Sequence, residues 1–402
     1  MREGSRPRSI CYIAPDVPLP YPSGASVHVS ELATNLSRLG HPVHVIARRV
    51  RKDERPMEVT DGYTVHRVYR WLISPGPKPR DSNKDSEGAG LHRLYYFYLK
   101  TLFALYVSLV AGWIIRKNGL DVIIERETAF GAGGLTSLML QRPIVLEIIG
   151  PRYSRLSVKR SSAIMYYTES MLREWVDRSK CQPIEAGVNT RLFFSDTNQR
   201  LRMRKALGFG GEEVVVGYVG SFQSWHGVDT LLSAVSAMRG REGTNPKLLF
   251  VGPSPMRYRT LAESLGLGSS SFFVGPVPYE EVPAYINACD IMVAPYEPDK
   301  DGLRREFGIG WPLKVLEYMA CQKPVVTTQV PPIDKIVKEG ETGLMVKPGD
   351  AAQLGEAILL LGKDKVLAEK IALNGLSLVV SKYSWAAVAA HLSGIVQEAR
   401  IQ

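Results

Sequence analysis

Cysteine is scarce in this 402-residue chain, and the few cysteines follow no recognised pattern. Cys11, Cys181, Cys289 and Cys321 form neither a CxxC pair nor a cluster with histidine. A disulfide framework and a structural zinc site are therefore not expected, and a reducing compartment fits best. The sequence predicts no metal site and no cofactor.

Long apolar runs are also rare. Residues 1–8 are polar and basic and lead straight into a strand-like segment, without the apolar stretch of a signal peptide. Leu94–Ile115 is the most apolar long stretch, but its part from Thr101 onward is shorter than the about 20 residues that a membrane span needs. Its aromatic residues suit a membrane interface as well as a buried helix, and we expect a core helix in a cytoplasmic protein.

Charge is distributed unevenly along the chain. Residues 1–190 contain 27 Lys and Arg against 18 Asp and Glu, and residues 191–402 contain 23 against 22. The net charge of +10 therefore lies almost wholly in the first half, which indicates an anionic partner such as an acidic membrane surface or a phosphate-bearing acceptor. One basic run, without interleaved aromatic residues, predicts a solvated loop and no nucleic-acid partner: Arg48, Arg49, Arg51 and Lys52.

The first half begins with a βαβ pattern. Ile10–Ala14 is a short apolar strand, and Ala25–Leu39 has apolar residues at helical spacing. Gly40 ends this helix, and Val43–Ala47 is the next strand. The pattern predicts an α/β domain with a parallel sheet.

Further elements follow along the chain. Strands are expected at Asp121–Ile124, Ile144–Ile148, Val214–Val219, Lys247–Val251, Ser271–Val274 and Asp290–Ala294, a helix is expected at Glu281–Ala288, and residues 75–90 should form a surface loop. Two βα series without a shared repeat predict two Rossmann-like domains facing each other, with ligands at the carboxyl ends of their strands. We place the hinge at Asn189–Asp196. The domains are then 1–190 and 191–380, and a C-terminal helix in 381–402 returns to the first domain.

The segment Trp311–Val326 is the most informative part of the sequence. It predicts a loop, a helix, a second loop and a strand, with Pro312 at the first helical position. Free N–H groups and the helix dipole there favour an anion, and Lys314 adds a cation. Glu317, one turn farther on, can accept hydrogen bonds from sugar hydroxyls. The segment fits a phosphate-plus-ribose site, and it fits equally well an amphipathic helix whose Lys and Glu are solvated.

With these motifs placed, the chain resembles the retaining GT-B glycosyltransferases of family 4, the glycosyl transferases group 1, over almost its whole length. In the first half, the segments similar to family motifs are Pro15–Val29, Leu39–Val43, Asp121–Arg126, Pro143–Glu147 and Glu185–Asn189. In the second half they are Val219–Asp229, Phe273–Pro278, Glu341–Leu344, Pro348–Asp350 and Lys382–Trp385. Each segment by itself is weak evidence for the family, but the order and spacing of all the segments together are specific to it.

The chain departs from the family pattern at several positions. Ser221 and His226 occupy the places of the Arg and Lys that usually bind the donor diphosphate. The usual spacing of the paired glutamates requires a glutamate at Ile309. We expect this first glutamate to be absent, as in the Pro-Leu-Lys branch of the family, and the alternative is that Glu306 replaces it. Gln322 replaces the glycine that usually ends the helix, so it should adopt a left-handed conformation at a cost of about 1 kcal/mol.

The resemblance implies a two-domain GT-B enzyme that transfers a sugar, with retention, from a nucleoside diphosphate, UDP being favoured. It implies catalytic roles for His226, which would act as a cation if protonated, Lys314 and Glu317, and acceptor-side roles for His28, Arg126 and Glu147. From the residues alone, His226 also fits a helix-start histidine bonded to backbone, His28 fits a surface or inter-domain residue, and Arg126 and Glu147 fit a pair that caps the strand ends. The implied donor-binding residues are Gly24, Gly220, Ser221, Val277, Trp311, Pro312, Leu313, Lys314, Val315 and Glu317. The implied acceptor is a carbohydrate. The positive charge of the first half, its basic run and the aromatic residues of 94–115 add the hypothesis of a lipid-linked precursor, reached by peripheral contact with an anionic membrane at its inner face. The alternatives are another GT-B enzyme, such as a sugar-nucleotide epimerase, and a non-catalytic nucleotide-sugar-binding subunit.

Overall fold

The computed structural model describes residues 6–19, 23–69, 89–128, 130–150, 152–238, 240–241 and 245–402. It divides the chain into two compact units, of which unit 1 comprises residues 1–184 and 389–402 and unit 2 comprises residues 185–388. The division falls between Ile184 and Glu185, where the sequence placed it after residue 190. The C-terminal part of unit 1 begins at Ala389, where the sequence placed it at residue 381.

Unit 1 contains an eight-stranded sheet in the order β3-β4-β2-β1-β5-β6-β7-β8. Its strands are β1 (Ile10–Pro18), β2 (Val43–Arg48), β3 (Met57–Thr60), β4 (Tyr63–Val68), β5 (Val122–Arg126), β6 (Ile144–Ile148), β7 (Ser161–Tyr166) and β8 (Cys181–Pro183). Its helices are α1 (Gly24–Arg38), α2 (Ala89–Asn118), α3 (Ala132–Leu140) and α4 (Arg155–Arg160). All paired neighbours are parallel except β3 and β4. The order of the parallel strands is that of a doubly wound, Rossmann-like sheet.

Unit 2 contains a six-stranded, all-parallel sheet in the order β11-β10-β9-β12-β13-β14. Its strands are β9 (Val215–Val219), β10 (Lys247–Val251), β11 (Ser271–Gly275), β12 (Ile291–Ala294), β13 (Val325–Thr328) and β14 (Leu344–Val346). The helices that follow α4 are α5 (Thr197–Leu207), α6 (Val228–Met238), α7 (Met256–Ser264), α8 (Val282–Ala288), α9 (Gly302–Phe307), α10 (Leu313–Ala320), α11 (Ala351–Lys363), α12 (Lys365–Lys382) and α13 (Trp385–Glu398). Helix α13 spans the division, because unit 1 takes its residues from Ala389 onward. Unit 2 is therefore a second Rossmann-like unit, and the α/β class expected from the sequence is confirmed.

The strand predictions hold because these strands are buried on both faces and read as continuous apolar runs. Ile144–Ile148 and Lys247–Val251 are observed as predicted, and the other predicted strands are displaced or extended by a few residues. Gly40, at φ +90°, follows the end of α1 as expected. Gln322 adopts a positive φ of 53°, which confirms the left-handed position that its motif implied.

Two predictions in the first half need correction. The strands β3 and β4 were not foreseen, although Asp61-Gly62 between them is a strong hairpin signal and both residues have positive φ. The predicted surface loop at 75–90 lies outside the described residues up to 88, and α2 begins at Ala89. Helix α2 is thus longer at both ends than the stretch Leu94–Ile115 that predicted it.

Candidate functional site

Three neighbouring strands of unit 2 end in glycine with positive φ: Gly220 after β9, Gly252 after β10 and Gly275 in β11. Gly220 donates its N–H to the Val251 carbonyl, and Gly252 donates its N–H to the Gly275 carbonyl. Backbone hydrogen bonds therefore join the three neighbouring strand ends. A Cβ on Gly252 would collide with the Gly220 carbonyl oxygen. This edge therefore presents closely spaced backbone without side chains, as a phosphate or nucleotide site requires.

Lys314 reaches this edge from the first turn of α10. Its Nζ donates to the Tyr218 hydroxyl at 2.9 Å and lies 4.4 Å from the centre of the Tyr218 ring. A Cβ on Gly220 would lie only 2.8 Å from the same Nζ, so the glycine makes room for the ammonium group. Burial lowers the pKa of Lys314 to about 7, although Glu317 acts in the opposite direction. The lysine is thus a partly desolvated cation beside the glycine edge.

Glu317 lies one turn farther along α10. Its Oε1 accepts a hydrogen bond from the Tyr279 hydroxyl at 3.0 Å. Burial raises the pKa of Glu317 to about 7, against the hydrogen bond from Tyr279 and the charge of Lys314. Both groups remain partly exposed, and a lysine and a glutamate with pKa values shifted toward each other indicate a functional site rather than a solvated helix face.

His226 differs from its expected role. The ring is buried, and Nδ1–H donates to the Ser221 carbonyl at 2.5 Å. Burial lowers the pKa of His226 to about 3, and the charge of Lys314 lowers it further. The histidine is therefore neutral at physiological pH and holds the loop after β9, which corrects the prediction of a protonated, phosphate-binding His226.

Arg304 was missed by the sequence reasoning. Its guanidinium lies 4.7 Å from the centre of the Trp225 ring, and that ring lies 3.9 Å from the His226 ring. Its charge also lowers the pKa of His226, so it stands close to the same aromatic cluster as Lys314. Arg304 thus supplies a second cation where the family's usual Arg and Lys are replaced. No signal in the sequence singles it out, because α9 brings it there from a segment without a motif.

The start of α10 is built differently from the prediction. Pro312 is the N-cap residue, with φ −85° and ψ 70°, and Leu313 is the first helical residue. The N–H groups of Leu313 and Val315 already bond to the carbonyls of Trp311 and Pro312. The Val315 side chain is fully buried, so Val315 offers a ligand neither its side chain nor its N–H. The cation of Lys314 therefore matters more here than the free helix N–H groups.

The remaining predicted donor residues of unit 2 lie in or beside its core. Val277 and Trp311 pack as partly buried side chains against the same hydrophobic cluster, which includes Ile309. Ile309 is buried at the place where the usual spacing requires a glutamate. Glu306 has an exposed side chain on α9. The burial of Ile309 among apolar side chains favours a missing first glutamate.

A second polar cluster lies in unit 1, on the α1 side of the sheet. Glu147, fully buried in β6, accepts a hydrogen bond from the Tyr12 hydroxyl at 2.6 Å. The Nε2 of His28 lies 3.5 Å from the other carboxylate oxygen, and Nδ1 of His28 hydrogen bonds to the Tyr167 hydroxyl at 2.9 Å. The structure thus joins two predicted acceptor-side residues and adds two tyrosines that the sequence reasoning missed. The only signal was the place of Tyr12 in a predicted apolar strand, and Tyr167, which follows β7, had none.

Arg126 is the last residue of β5, next to Glu147 of β6. It pairs in register with Glu147, and its Nε has no hydrogen-bond partner among the described residues. Beside it, Glu127 accepts N–H bonds from Ile149 and Gly150 at 2.8 and 2.5 Å, and burial raises the pKa of Glu127 to about 7. The unpartnered nitrogen gives this edge a donor for an anion or a hydroxyl group. Gly24 is exposed as the first residue of α1 in the same unit.

Among the described residues, no group of three or more His, Cys, Asp and Glu side chains is arranged to hold a metal ion.

Residues 199–377 match the glycosyl transferases group 1 family. The chain is 24% identical to a D-inositol 3-phosphate glycosyltransferase of Acidothermus cellulolyticus, over 98% of this chain and 91% of that protein. It is 29% identical to a GDP-mannose-dependent alpha-(1-6)-phosphatidylinositol monomannoside mannosyltransferase of Mycolicibacterium smegmatis, but only over 53% of this chain and 55% of that protein.

Solved structures agree on the fold. The Anabaena Alr3699/HepE protein in complex with UDP and glucose superposes with a TM-score of 0.70 at 16% identity, over 97% of this chain and 99% of that one. Residues 199–377 therefore form a glycosyl transferases group 1 domain, and the chain is a glycosyltransferase with the GT-B fold.

Proposed function

We propose that this enzyme transfers a sugar from a nucleoside diphosphate sugar, with UDP as the favoured nucleotide, to a hydroxyl of a lipid-linked or polysaccharide precursor. The anomeric configuration is retained and no metal ion is required. The observation that carries the proposal is the position of Lys314 and Glu317 beside the glycine-ended strands of unit 2.

The chemistry of that edge fits a nucleoside diphosphate. The glycines allow the phosphates to approach the backbone, and Lys314 and Arg304 supply positive charge to the leaving diphosphate. Glu317 accepts hydrogen bonds from the ribose hydroxyls, as its existing bond from Tyr279 shows it can accept an O–H donor. The HepE structure, which contains UDP and glucose, supports the same class of ligand on the same fold.

We take retention from the family resemblance, and it requires a same-face reaction here because we identify no nucleophilic side chain beside the glycine edge among the described residues. The acceptor hydroxyl attacks the anomeric carbon on the face from which the diphosphate leaves, so one C–O bond forms as the other breaks. The proton of the acceptor hydroxyl passes to the departing phosphate. The chain's contribution is the stabilisation of the developing negative charge, for which Lys314 lies beside Gly220 and Arg304 lies on the Trp225 ring near His226.

The acceptor part of the proposal rests on unit 1. The buried carboxylate of Glu147 and the unpartnered Nε of Arg126 lie on one sheet edge and suit hydroxyl and phosphate groups. The two relatives act, by their names, on an inositol phosphate and on a phosphatidylinositol mannoside, both of which carry phosphate. A phosphate-bearing acceptor is therefore the class we favour.

The nucleotide is tested by thermal unfolding in the presence of UDP, GDP, ADP, dTDP and CMP. A ligand at about one hundred times its dissociation constant stabilises the folded state by about 2.7 kcal/mol, so the correct nucleotide raises the melting temperature most. We expect UDP to lead, and a larger shift with GDP would assign the donor to the other nucleotide named among the relatives.

The reaction is tested with the sugar donor of the selected nucleotide. Slow release of nucleoside diphosphate without acceptor is expected of a transferase, and the NMR coupling of the anomeric proton in the product reports retention or inversion. An inverted product would contradict the mechanism, and binding without any turnover would contradict the proposed reaction. Chelation with EDTA should leave the rate unchanged.

A further inference from the structure

Helix α2 has two apolar faces, and only one of them is covered. Phe103, Val107, Ala111 and Ile114 are buried in the core of unit 1. On the opposite face, Tyr98, Leu105, Leu109 and Trp113 are between 44% and 63% exposed. The outer face of a helix in a globular unit is normally polar, so the expectation of an ordinary core helix is only half right.

Helix α2 packs on unit 1 through its buried face. Residues Tyr98–Asn118 are long and apolar enough for a span, but 44% of the apolar window is buried inside the protein. Ser108 Oγ donates to the carbonyls of Ala104 and Ala132, which ties α2 to the start of α3. The covered face is thus committed to the core, and only the outer face is free to meet another surface.

Helix α3 extends the exposed apolar area. It packs against α2, with Leu140 Cδ1 3.9 Å from the position of a Cβ on Gly112. Near that end, Leu138 and Met139 are each more than two-fifths exposed. Six large apolar side chains on two adjacent helices form a patch of the kind that marks an interaction site rather than scattered surface residues. We call Tyr98, Leu105, Leu109, Trp113, Leu138 and Met139 the α2–α3 patch.

The charge around the α2–α3 patch has one sign. Residues 98–118 of α2, all of α3 and all of α4, which packs against α3, contain no Asp or Glu. Their basic residues are Lys100, Arg116, Lys117, Arg155, Lys159 and Arg160. Lys117 Nζ lies 4.7 Å from the centre of the Trp113 ring, so a cation and an aromatic side chain share one end of the patch. Apolar side chains on helices whose charged residues are all basic complement a lipid surface with anionic headgroups.

We propose that the α2–α3 patch docks on an anionic bilayer surface, with Leu105, Leu109 and Trp113 entering the headgroup boundary and the basic residues contacting lipid phosphates. The inference deepens the proposed function, on which it rests in one respect: a lipid-linked acceptor is reached from such a surface. A second copy of the chain is the less suitable occupant. A two-fold dimer through this face would place one all-cationic helix set against another.

The test is flotation of the full-length protein with two kinds of vesicle. One contains phosphatidylcholine alone, and the other also contains phosphatidylglycerol. We expect recovery with the anionic vesicles only, and a loss of roughly tenfold when salt rises from about 0.1 to about 0.5 M, since salt screens surface attraction. Equal recovery with both vesicles, or none with either, would overturn the proposal.

A matched pair of variants locates the contact. Leu109→Gln changes a helical leucine in the patch that is 63% exposed, and Leu201→Gln changes a helical leucine of α5 in unit 2 that is 61% exposed. We expect Leu109→Gln to weaken vesicle binding by roughly tenfold and Leu201→Gln to leave it unchanged, because only the first side chain enters the bilayer. Equal effects of the two variants would overturn the location.

The charged contacts have their own control. Lys117→Gln should weaken binding to anionic vesicles by about fivefold, the effect of one basic residue near such a surface. Lys52→Gln, in the loop after β2, should not change this binding.

A shift from dimer to monomer in sedimentation velocity on Leu109→Gln would identify a second copy as the occupant and contradict docking on a membrane. Nucleotide-induced thermal shifts are measured on the same variants. If vesicle binding fails while nucleotide binding is intact, the docking proposal is wrong and the proposed function is unaffected.

Discussion

The two Rossmann-like units end their strands in opposite ways. In unit 2, β9, β10 and β11 end in glycines that expose backbone beside one lysine. In unit 1, Tyr12 of β1, Glu147 of β6 and Tyr167 just after β7 form a cluster of large polar side chains. The same fold thus provides a bare backbone edge in one unit and a hydrogen-bonded side-chain cluster in the other.

This difference matches the chemistry of two different ligands. Phosphate groups need close approach to the backbone and positive charge, which glycines and Lys314 supply. Sugar hydroxyls need oriented carboxylates and donors, and in the proposed function Glu147 and Arg126 take these roles. The comparison predicts that variants of one edge change donor binding and leave the other edge intact.

Lys314→Met should have the largest effect. Removing this cation should lower transfer by on the order of 100-fold, because the leaving diphosphate loses a charge that is only partly solvated. The same change should raise the stability of the ligand-free protein by about 1 kcal/mol, since it removes a charge whose burial is unfavourable. Steady-state kinetics and thermal unfolding measure the two effects. If Lys314→Met lowers stability and retains activity, Lys314 is a structural residue and the difference between the two units does not reflect donor binding.

Arg304→Gln should have a smaller effect in the same direction. Its guanidinium lies on the Trp225 ring, whereas Lys314 lies beside Gly220, so we expect a loss of only about tenfold in kcat/KM. Arg305→Gln, whose exposed side chain contacts Asp299, is the matched control and should be neutral. Equal losses of kcat/KM in both variants would show that Arg304 has no specific role in the donor site.

The unit 1 cluster is tested through stability. Tyr12→Phe removes the hydroxyl that donates to Glu147 and leaves a buried carboxylate with one partner fewer, at a cost of about 1–3 kcal/mol. Donor affinity should not change. Denaturant unfolding and nucleotide titration on the same sample separate the two effects, and weaker nucleotide binding would show that the two edges are not independent.

The pH dependence tests the charge of Lys314 without a substitution. Burial lowers the pKa of Lys314 to about 7, so its charge is present below pH 7 and is lost as pH rises. The affinity that a diphosphate adds over its nucleoside should therefore fall by up to about tenfold per pH unit above pH 7. His226→Gln should not alter this slope, because burial keeps the pKa of His226 near 3. A slope that disappears in His226→Gln would restore the histidine as the phosphate-binding cation.

Local patterns in the sequence were enough to predict the α/β class, most buried strands and the special backbone of Gln322. Lys314 and Glu317 were predicted as neighbours because one helix carries both. Tyr279 and Arg304 were not predicted, because each comes to the site from a different segment and the local spacing of residues does not show which segments meet. The neutral state of His226 was also beyond prediction, since it depends on the burial of the ring and on Lys314, which is distant in sequence.

The exposed face of α2 was likewise not predictable from the sequence. Its composition predicts an apolar helix, but the sequence does not show which apolar residues the core covers. The alternation of buried Val107 and Ala111 with exposed Leu109 and Trp113 is set by packing against the sheet and α3. The structure was therefore needed to separate the core face from the α2–α3 patch.

The most direct test of the donor edge is calorimetric titration of the selected nucleoside diphosphate and of its nucleoside into three proteins: the wild type, Lys314→Met and Glu317→Gln. If Lys314 binds phosphate and Glu317 binds ribose, Lys314→Met loses the affinity that the diphosphate adds and keeps the affinity for the nucleoside. Glu317→Gln should weaken both ligands equally, by about 1.5–3 kcal/mol. Unchanged nucleoside affinity in Glu317→Gln, together with an unchanged diphosphate increment in Lys314→Met, would contradict the assignment of the donor site to this edge.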